Sequence, residues 1–407
     1  MKFNKWTVGL AALGVVSLTS AVRADESKMS QVQTALSNTT LSGYVDVSAQ
    51  FNPDGGSGNP NYTYGSDSAS KANGINLNVV DIALDKPLDE SPWASGYHVE
   101  FWVGPDGNTL GVGNDIRQAY IALRTPVGNG IDWKVGVFDG IIGYEGTTSG
   151  NNPNYSHSFG YNLEPTTATG ILGTYKVTDA LSFQAGVANC GYLGGGGYTA
   201  SYNTGMYQPQ VMGSIALTAP DSWGWAKGAT LSGGIINNSG STAGVGAPAS
   251  SGGASGGATS YYLGGVLPTP NSNLKFGASF DYLNARDNNP GPSAAGNAWA
   301  LALYSTLQLS EKASLNLRAE YLDGMPLNGG AYGGTAAATA GVPRSNQAEE
   351  ITATLQYNLW QNVLTRVELR WDHVAHADGY YSFNTSPTTA NGYNNAVMLA
   401  VQAIYTF

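Results

Sequence analysis

The final twelve residues alternate without a break. Val397, Leu399, Val401, Ala403, Tyr405 and Phe407 fall on one side of an extended chain, and Ala396, Met398, Ala400, Gln402, Ile404 and Thr406 on the other. A period of two gives each set its own face of a sheet. The first set is apolar up to its aromatic end, so this strand borders an apolar medium on that side. The code recurs upstream. In 41–51, Leu41, Val45, Val47, Ala49 and Phe51 oppose Ser42, Tyr44, Asp46, Ser48 and Gln50. In 363–373, Val363, Thr365, Val367, Leu369 and Trp371 oppose Arg366, Glu368, Arg370 and Asp372. With lipid on one face and water on the other, every backbone polar group must be paired around a closed ring.

A terminal Phe407 preceded by Tyr405 and further apolar residues at every second position resembles the assembly signal of Gram-negative outer-membrane barrels. The expected partners are outer-membrane lipid and the barrel-assembly machinery. The amino terminus agrees with export. Lys2 and Lys5 precede an apolar stretch from Trp6 to about Leu18, and Val22-Arg23-Ala24 offers small residues for cleavage. Residues 1–24 read as a signal peptide, too short and wrongly flanked for an anchor. Its removal takes Lys+Arg from 18 to 15 against 28 Asp+Glu, and the net charge from −10 to −13. Residues 25–40 read as a periplasmic leader, although Met29, Val32, Ala35 and Leu36 also fit a small plug helix.

The chain has 55 Gly, 24 Tyr and 9 Trp with only 11% charged residues, too few charges for an ordinary soluble surface. No segment after the signal has the roughly 18 apolar residues of a membrane helix. Cys190 is single, which excludes an internal disulfide or a thiolate metal cage. The acidic balance, with no basic cluster, argues against nucleic acid.

Sixteen alternating segments run from 41–51 to 395–407, and fourteen to eighteen fit the chain because 166–267 is Gly-rich. Connections after odd segments are long and those after even segments short, as in an antiparallel up-and-down barrel with external loops and periplasmic turns. The expectation is one all-β transmembrane domain over 41–407. In 115–124 the pattern leaves open whether Arg117 or Gln118 faces the lumen.

Several stretches carry a resemblance: Leu84-Asp85-Lys86-Pro87, Asp115-Ile116-Arg117-Gln118-Ala119-Tyr120, Lys134-Val135-Gly136-Val137-Phe138, Ile142-Gly143-Tyr144-Glu145, Tyr155-Ser156-His157-Ser158-Phe159, Ala168-Thr169-Gly170 and 364–370. In this order they resemble the putative beta-barrel porin-2 family of OmpL-like outer-membrane proteins. The resemblance implies an outer-membrane barrel conducting small hydrophilic solutes or ions, with no catalytic or ligand residues to transfer. Analogy with porins of this strand number adds a homotrimer.

The longest connection, 139–165, carries Asp139, Tyr144, Glu145, His157 and Glu164. It either folds inward and narrows the lumen, as in general porins, or packs on the external rim. If inward, Asp139 and Glu145 would face Lys134, Arg366 and Arg370, setting a transverse field across the passage. Asp46, Glu100, Arg117, Arg318, Glu320 and Glu368 complete the candidate pore lining by strand parity, and Asp372 also falls on that face. The bland reading is that these charges pair along the wall. His373 and His376 have a spacing that suits a helix better than a strand, so no metal or cofactor is expected. Gly194–Gly197 reads as a flexible loop. Trp102, Trp133, Trp299, Trp360 and Trp371 lie near segment ends and read as anchors at the lipid headgroups. Passive diffusion is the leading function. A surface adhesion barrel and an outer-membrane hydrolase are the alternatives, the latter lacking a catalytic constellation.

Overall fold

The computed structural model describes residues 38–53, 73–106, 116–189, 209–238, 258–285, 296–324, 346–376 and 395–407. The expected signal segment and nearly all of the leader lie outside them, as do Cys190 and Gly194–Gly197. Within them run sixteen strands: β1 Thr40–Phe51, β2 Gly74–Lys86, β3 Ser95–Val103, β4 Ile116–Thr125, β5 Ile131–Asp139, β6 Thr167–Thr178, β7 Leu181–Ala188 and β8 Gln210–Thr218. The second half comprises β9 Thr230–Asn238, β10 Ala258–Pro268, β11 Leu274–Ala285, β12 Gly296–Gln308, β13 Ala313–Gly324, β14 Asn346–Trp360, β15 Val363–His376 and β16 Asn395–Thr406. Each pairs antiparallel with the next and β16 returns to β1, so no edge is left open.

The seam is closed by the last residue. Gly43 N donates to Phe407 O at 3.1 Å, and Phe407 N donates to Gly43 O at 2.9 Å. The Phe407 ring lies over Gly43, where any Cβ would also collide with the Asp81 carbonyl of β2. Glycine is therefore required by close approach.

The two faces are inverted relative to a soluble protein. Val47, Ile121, Val211, Leu303, Leu369 and Val401 are exposed, whereas Asp46, Arg318, Glu368 and Gln402 are buried. Apolar groups point outward to lipid and charged groups inward. Val45 pairs with the exposed Tyr405, and Val135 with the exposed Ile121 and Ile171, so both share the outer face. Lys134 lies between Ala122 and the buried Leu172, on the inner face.

Among the register shifts of the described strands, those beside Asp46 and Glu100 re-aim residues of the lumen wall. Between β1 and β2 the register shifts at Asp46/Val47, so Asn78 and Val79 are both buried. Between β3 and β4 it shifts at Glu100/Phe101, leaving Arg117 as the extra residue. Both Arg117 and Gln118 consequently reach the lumen, where Gln118 Nε2 donates to Glu100 Oε2 at 2.8 Å. The alternative left by the sequence is resolved in favour of both.

Trp102 departs from the expected membrane anchor. It is buried inside the barrel, its indole donating to Glu100 Oε1 at 3.0 Å beneath the Arg117 guanidinium. Trp299 packs with Phe280 and Tyr321 on the outer face, and Trp360 is exposed near the β14–β15 turn. His373 stacks on Trp371 and bonds to Asn395.

Deleting Phe407 removes both closing hydrogen bonds, whereas Phe407→Ala removes only the ring. The deletion should lower the yield of heat-modifiable barrel more than the substitution does, as measured by band shift on unheated electrophoresis. Gly43→Val should cost the closed barrel about 1–3 kcal/mol, the scale of core overpacking, read from urea unfolding in lipid.

Candidate functional site

Strand β5 ends at Asp139, and the connection to β6 turns into the lumen rather than away from it. Its backbone needs tight bends, which short 3-10 turns at Ser149–Asn151 and Gly160–Leu163 supply. Gly143 has φ +122°, and any side chain there would meet the Glu164 carboxylate. Asn152 fastens an inner bend, accepting from Gly146 N at 2.8 Å and donating to Gly146 O.

An irregular segment inside a barrel carries peptide groups that have lost water and need partners. The strand wall provides them as charges. Glu368 accepts from Tyr155 N at 2.6 Å and Ser156 N at 3.0 Å, and Thr354 donates to it at 2.7 Å. Glu320 accepts from Phe159 N at 2.5 Å and Gly160 N at 2.7 Å. Arginines serve the carbonyls. Arg366 Nη1 donates to Ser149 O at 3.0 Å and Nη2 to Asn152 O. Arg318 donates to Ser156 O at 2.7 Å and His157 O at 3.1 Å, and Arg370 to His157 O at 2.6 Å. Such charge-assisted bonds contribute about 1.5–3 kcal/mol each.

The arginines are also tied to carboxylates. Arg318 pairs with Glu350 at 2.7 Å and with Glu145 at 2.8 Å. Arg370 pairs with Asp372 at 2.9 Å and with Glu350 at 3.1 Å. All are buried, so each base is held by several partners at once, the condition under which burying a charge is tolerated. On the wall-facing side of the connection, Tyr144 stacks on Tyr304 at 4.0 Å and Tyr304 OH donates to Glu145 at 3.0 Å. Asp46 is held by the side-chain amides of Gln402 and Asn78.

The expected pairing of acid and base is partly redistributed. Asp139 meets Arg117, with Nη2–Oδ2 at 2.9 Å, rather than Lys134. Glu145 meets Arg318 and not Arg366 or Arg370. The connection therefore bonds to β1 and β10–β16, and on its other side a cavity of about 50 Å³ remains. That cavity is lined by Arg117 and Asp139 from the wall and Thr147, Asn151 and Tyr161 from the connection, among others. Strand parity found most wall residues. It missed Glu350, since Glu349 and Glu350 are adjacent and only the register with Glu320 and Asp372 shows which points inward. Tyr304 gave no separate signal. Among the described residues no group of three His, Cys, Asp or Glu could hold a metal ion.

Two acids on the connection titrate in opposite senses. Burial would raise Glu145, but Arg318, the His157 hydrogen bond and the Ser158 N–H outweigh it and hold the carboxyl down to about 2. Its contribution is present above the ordinary Glu value and lost as pH falls through about 2. Glu164 is pushed well above that range by burial, then by the charge and hydrogen bond of Asp281. Its contribution is complete below the ordinary Glu value and is lost as pH rises through the raised one. Amide exchange, corrected for intrinsic rate, should therefore quicken around Leu163–Thr166 on moving from mildly acidic to mildly alkaline pH. Glu164→Gln should remove that dependence, while Glu145→Gln should weaken docking by about 1–3 kcal/mol at neutral pH.

A family model described as putative beta-barrel porin-2, OmpL-like, matches residues 38–407. Among solved structures, the outer-membrane channel DcaP of Acinetobacter baumannii is 12% identical with a TM-score of 0.57, covering 93% of this chain and 100% of that one. An anion-selective porin from Comamonas acidovorans is 12% identical with a TM-score of 0.56, covering 91% and 99%. In vitro folded OmpT of Vibrio cholerae, in its trimer form, is 13% identical with a TM-score of 0.53, covering 91% and 99%. These likenesses establish the barrel fold. No curated protein matches the chain. The match over the whole barrel identifies the protein as an outer-membrane channel that belongs to the putative beta-barrel porin-2, OmpL-like family.

Proposed function

We propose that the barrel passes small hydrophilic solutes and ions by passive diffusion, through a lumen narrowed by the connection between β5 and β6. The observation that carries this reading is the docking of that connection against the wall by Glu320, Glu368, Arg318, Arg366 and Arg370. A sixteen-stranded barrel is too wide for wall side chains to fill, so an inward segment sets its bore. In this reading Asp46, Glu100, Arg117, Lys134, Asp139, Tyr144 and Glu145 line the constriction or support it.

The chain is read as non-enzymatic. Glu145 and His157, bonded at 2.9 Å, come nearest to an acid–base dyad, but both are buried within the connection itself and committed to holding it. Residues 1–24 are proposed as a cleaved signal and 25–40 as a periplasmic leader. A homotrimer is proposed in line with the trimeric form of OmpT.

Planar-bilayer recording tests the reading. The parent should give discrete conductance steps, and absence of current from assembled barrel would overturn it. Glu320→Gln with Glu368→Gln removes the charge and leaves one acceptor oxygen where there were two, so one backbone N–H of each pair keeps a bond of about 0.5–1.5 kcal/mol and the other loses its acceptor. This variant should give noisier and larger steps. Deleting 147–160 should raise conductance on the order of twofold or more, toward that of an open barrel.

A further inference from the structure

Nearly every inward base described above is already satisfied. Arg318 and Arg370 face carboxylates, Arg366 faces main-chain carbonyls, and Arg117 faces Asp139. Near the periplasmic end Arg124 is paired with Asp132 at 2.6 Å. Lys134 is different. Among the described residues its ammonium has no hydrogen bond or ion pair, and it lies over the Tyr120 ring at 4.6 Å from the centroid. An aromatic face attracts a cation but accepts none of its three N–H bonds in the ordinary way, so those donors stay available.

The surroundings present this charge to the lumen. His98 stacks on Tyr120 at 5.3 Å, and its two ring nitrogens lie 3.1 Å from Asp85 and 3.4 Å from Glu100. Tyr120 is thus fixed from behind. Lys134 stands between Ala122 on β4 and Leu172 on β6, and Gly136 lies opposite Tyr120. Lys134, Tyr120 and Ala122 are only partly buried, unlike the sealed arginines.

The position also lies along the free side of the lumen. The connection is bonded to β1 and β10–β16, and the cavity separates it from Arg117 and Asp139 on β4 and β5. Lys134 precedes Asp139 by five residues on β5, which places it roughly 17 Å nearer the periplasmic turn.

We propose that ions cross along the β3–β5 wall and that Lys134 is a binding step there for compact monovalent anions, such as chloride or a short carboxylate. This rests on the channel reading. An uncommitted ammonium attracts an anion without first breaking an internal pair, which Arg318, Arg366 and Arg370 cannot do. Selectivity then depends on Lys134, while the three arginines act on the bore by holding the connection.

Reversal potentials in a potassium chloride gradient, repeated with potassium acetate, test the assignment on the assembled barrel. K134Q should lower the anion-to-cation permeability ratio roughly fivefold, the factor given by about 1 kcal/mol of attraction to a single charge in water, and K134R should retain it. A second variant, K134C in a C190S background, should show the same loss and regain the ratio when the thiol is converted to an aminoethyl disulfide. An unchanged ratio in K134Q or K134C at normal conductance would overturn the proposal, as would failure of aminoethylation to restore it. Assembled wild-type barrel without current would instead overturn the channel reading itself.

Discussion

The structure depends on how a buried main chain is satisfied. A connection led into a barrel loses water from both its amides and its carbonyls. Here the amides meet Glu320 and Glu368, and the carbonyls meet Arg318, Arg366 and Arg370. Opposite charges on one wall match the two polarities of the peptide group. Glu350 and Asp372 then neutralise Arg318 and Arg370 from behind, so the layer is a network rather than a row of isolated pairs.

This arrangement explains why the lumen is asymmetric. Bonding is concentrated on β1 and β10–β16. On the β6–β10 side Phe138 and Ile142 pack with Leu172, Met212 and Ile236, closing the sector by apolar contact. The remaining sector, β3–β5, keeps its half-buried groups and its cavity. Acid is plentiful at the docking layer: among the described residues Glu320 and Glu368 are held by N–H and O–H donors, and Asp46 accepts from the Gln402 amide. The local field is therefore set by which groups remain open to water, and the total charge is a poor guide to it.

Much of the fold was legible in the sequence because a barrel repeats one rule: period two, with lipid outside. Val367 and Glu368, or Val401 and Gln402, could be assigned to faces from parity alone. Parity fails where a bulge inserts a residue, and neither Asn78–Val79 nor Arg117–Gln118 carries a local signature of its bulge. Trp102 was misplaced for a related reason. Its nearness to a strand end suggested headgroups, whereas Glu100 and Arg117 draw it inward. The course of the long connection was undecidable from pattern, because the charged groups that hold it lie 160 to 217 residues away and recognise backbone rather than side-chain type.

Those separations have a consequence for the order in which the molecule is made. The segment that fills the lumen emerges between β5 and β6, but the wall that holds it is built mainly from strands that follow, ending with β16. Contacts so distant along the chain carry a large loop-closure entropy and form late. Threading a folded segment through a finished cylinder would strip its bonds one by one with nothing to replace them. The later strands must instead curl around a segment already lying inside, so docking and sealing are one cooperative event.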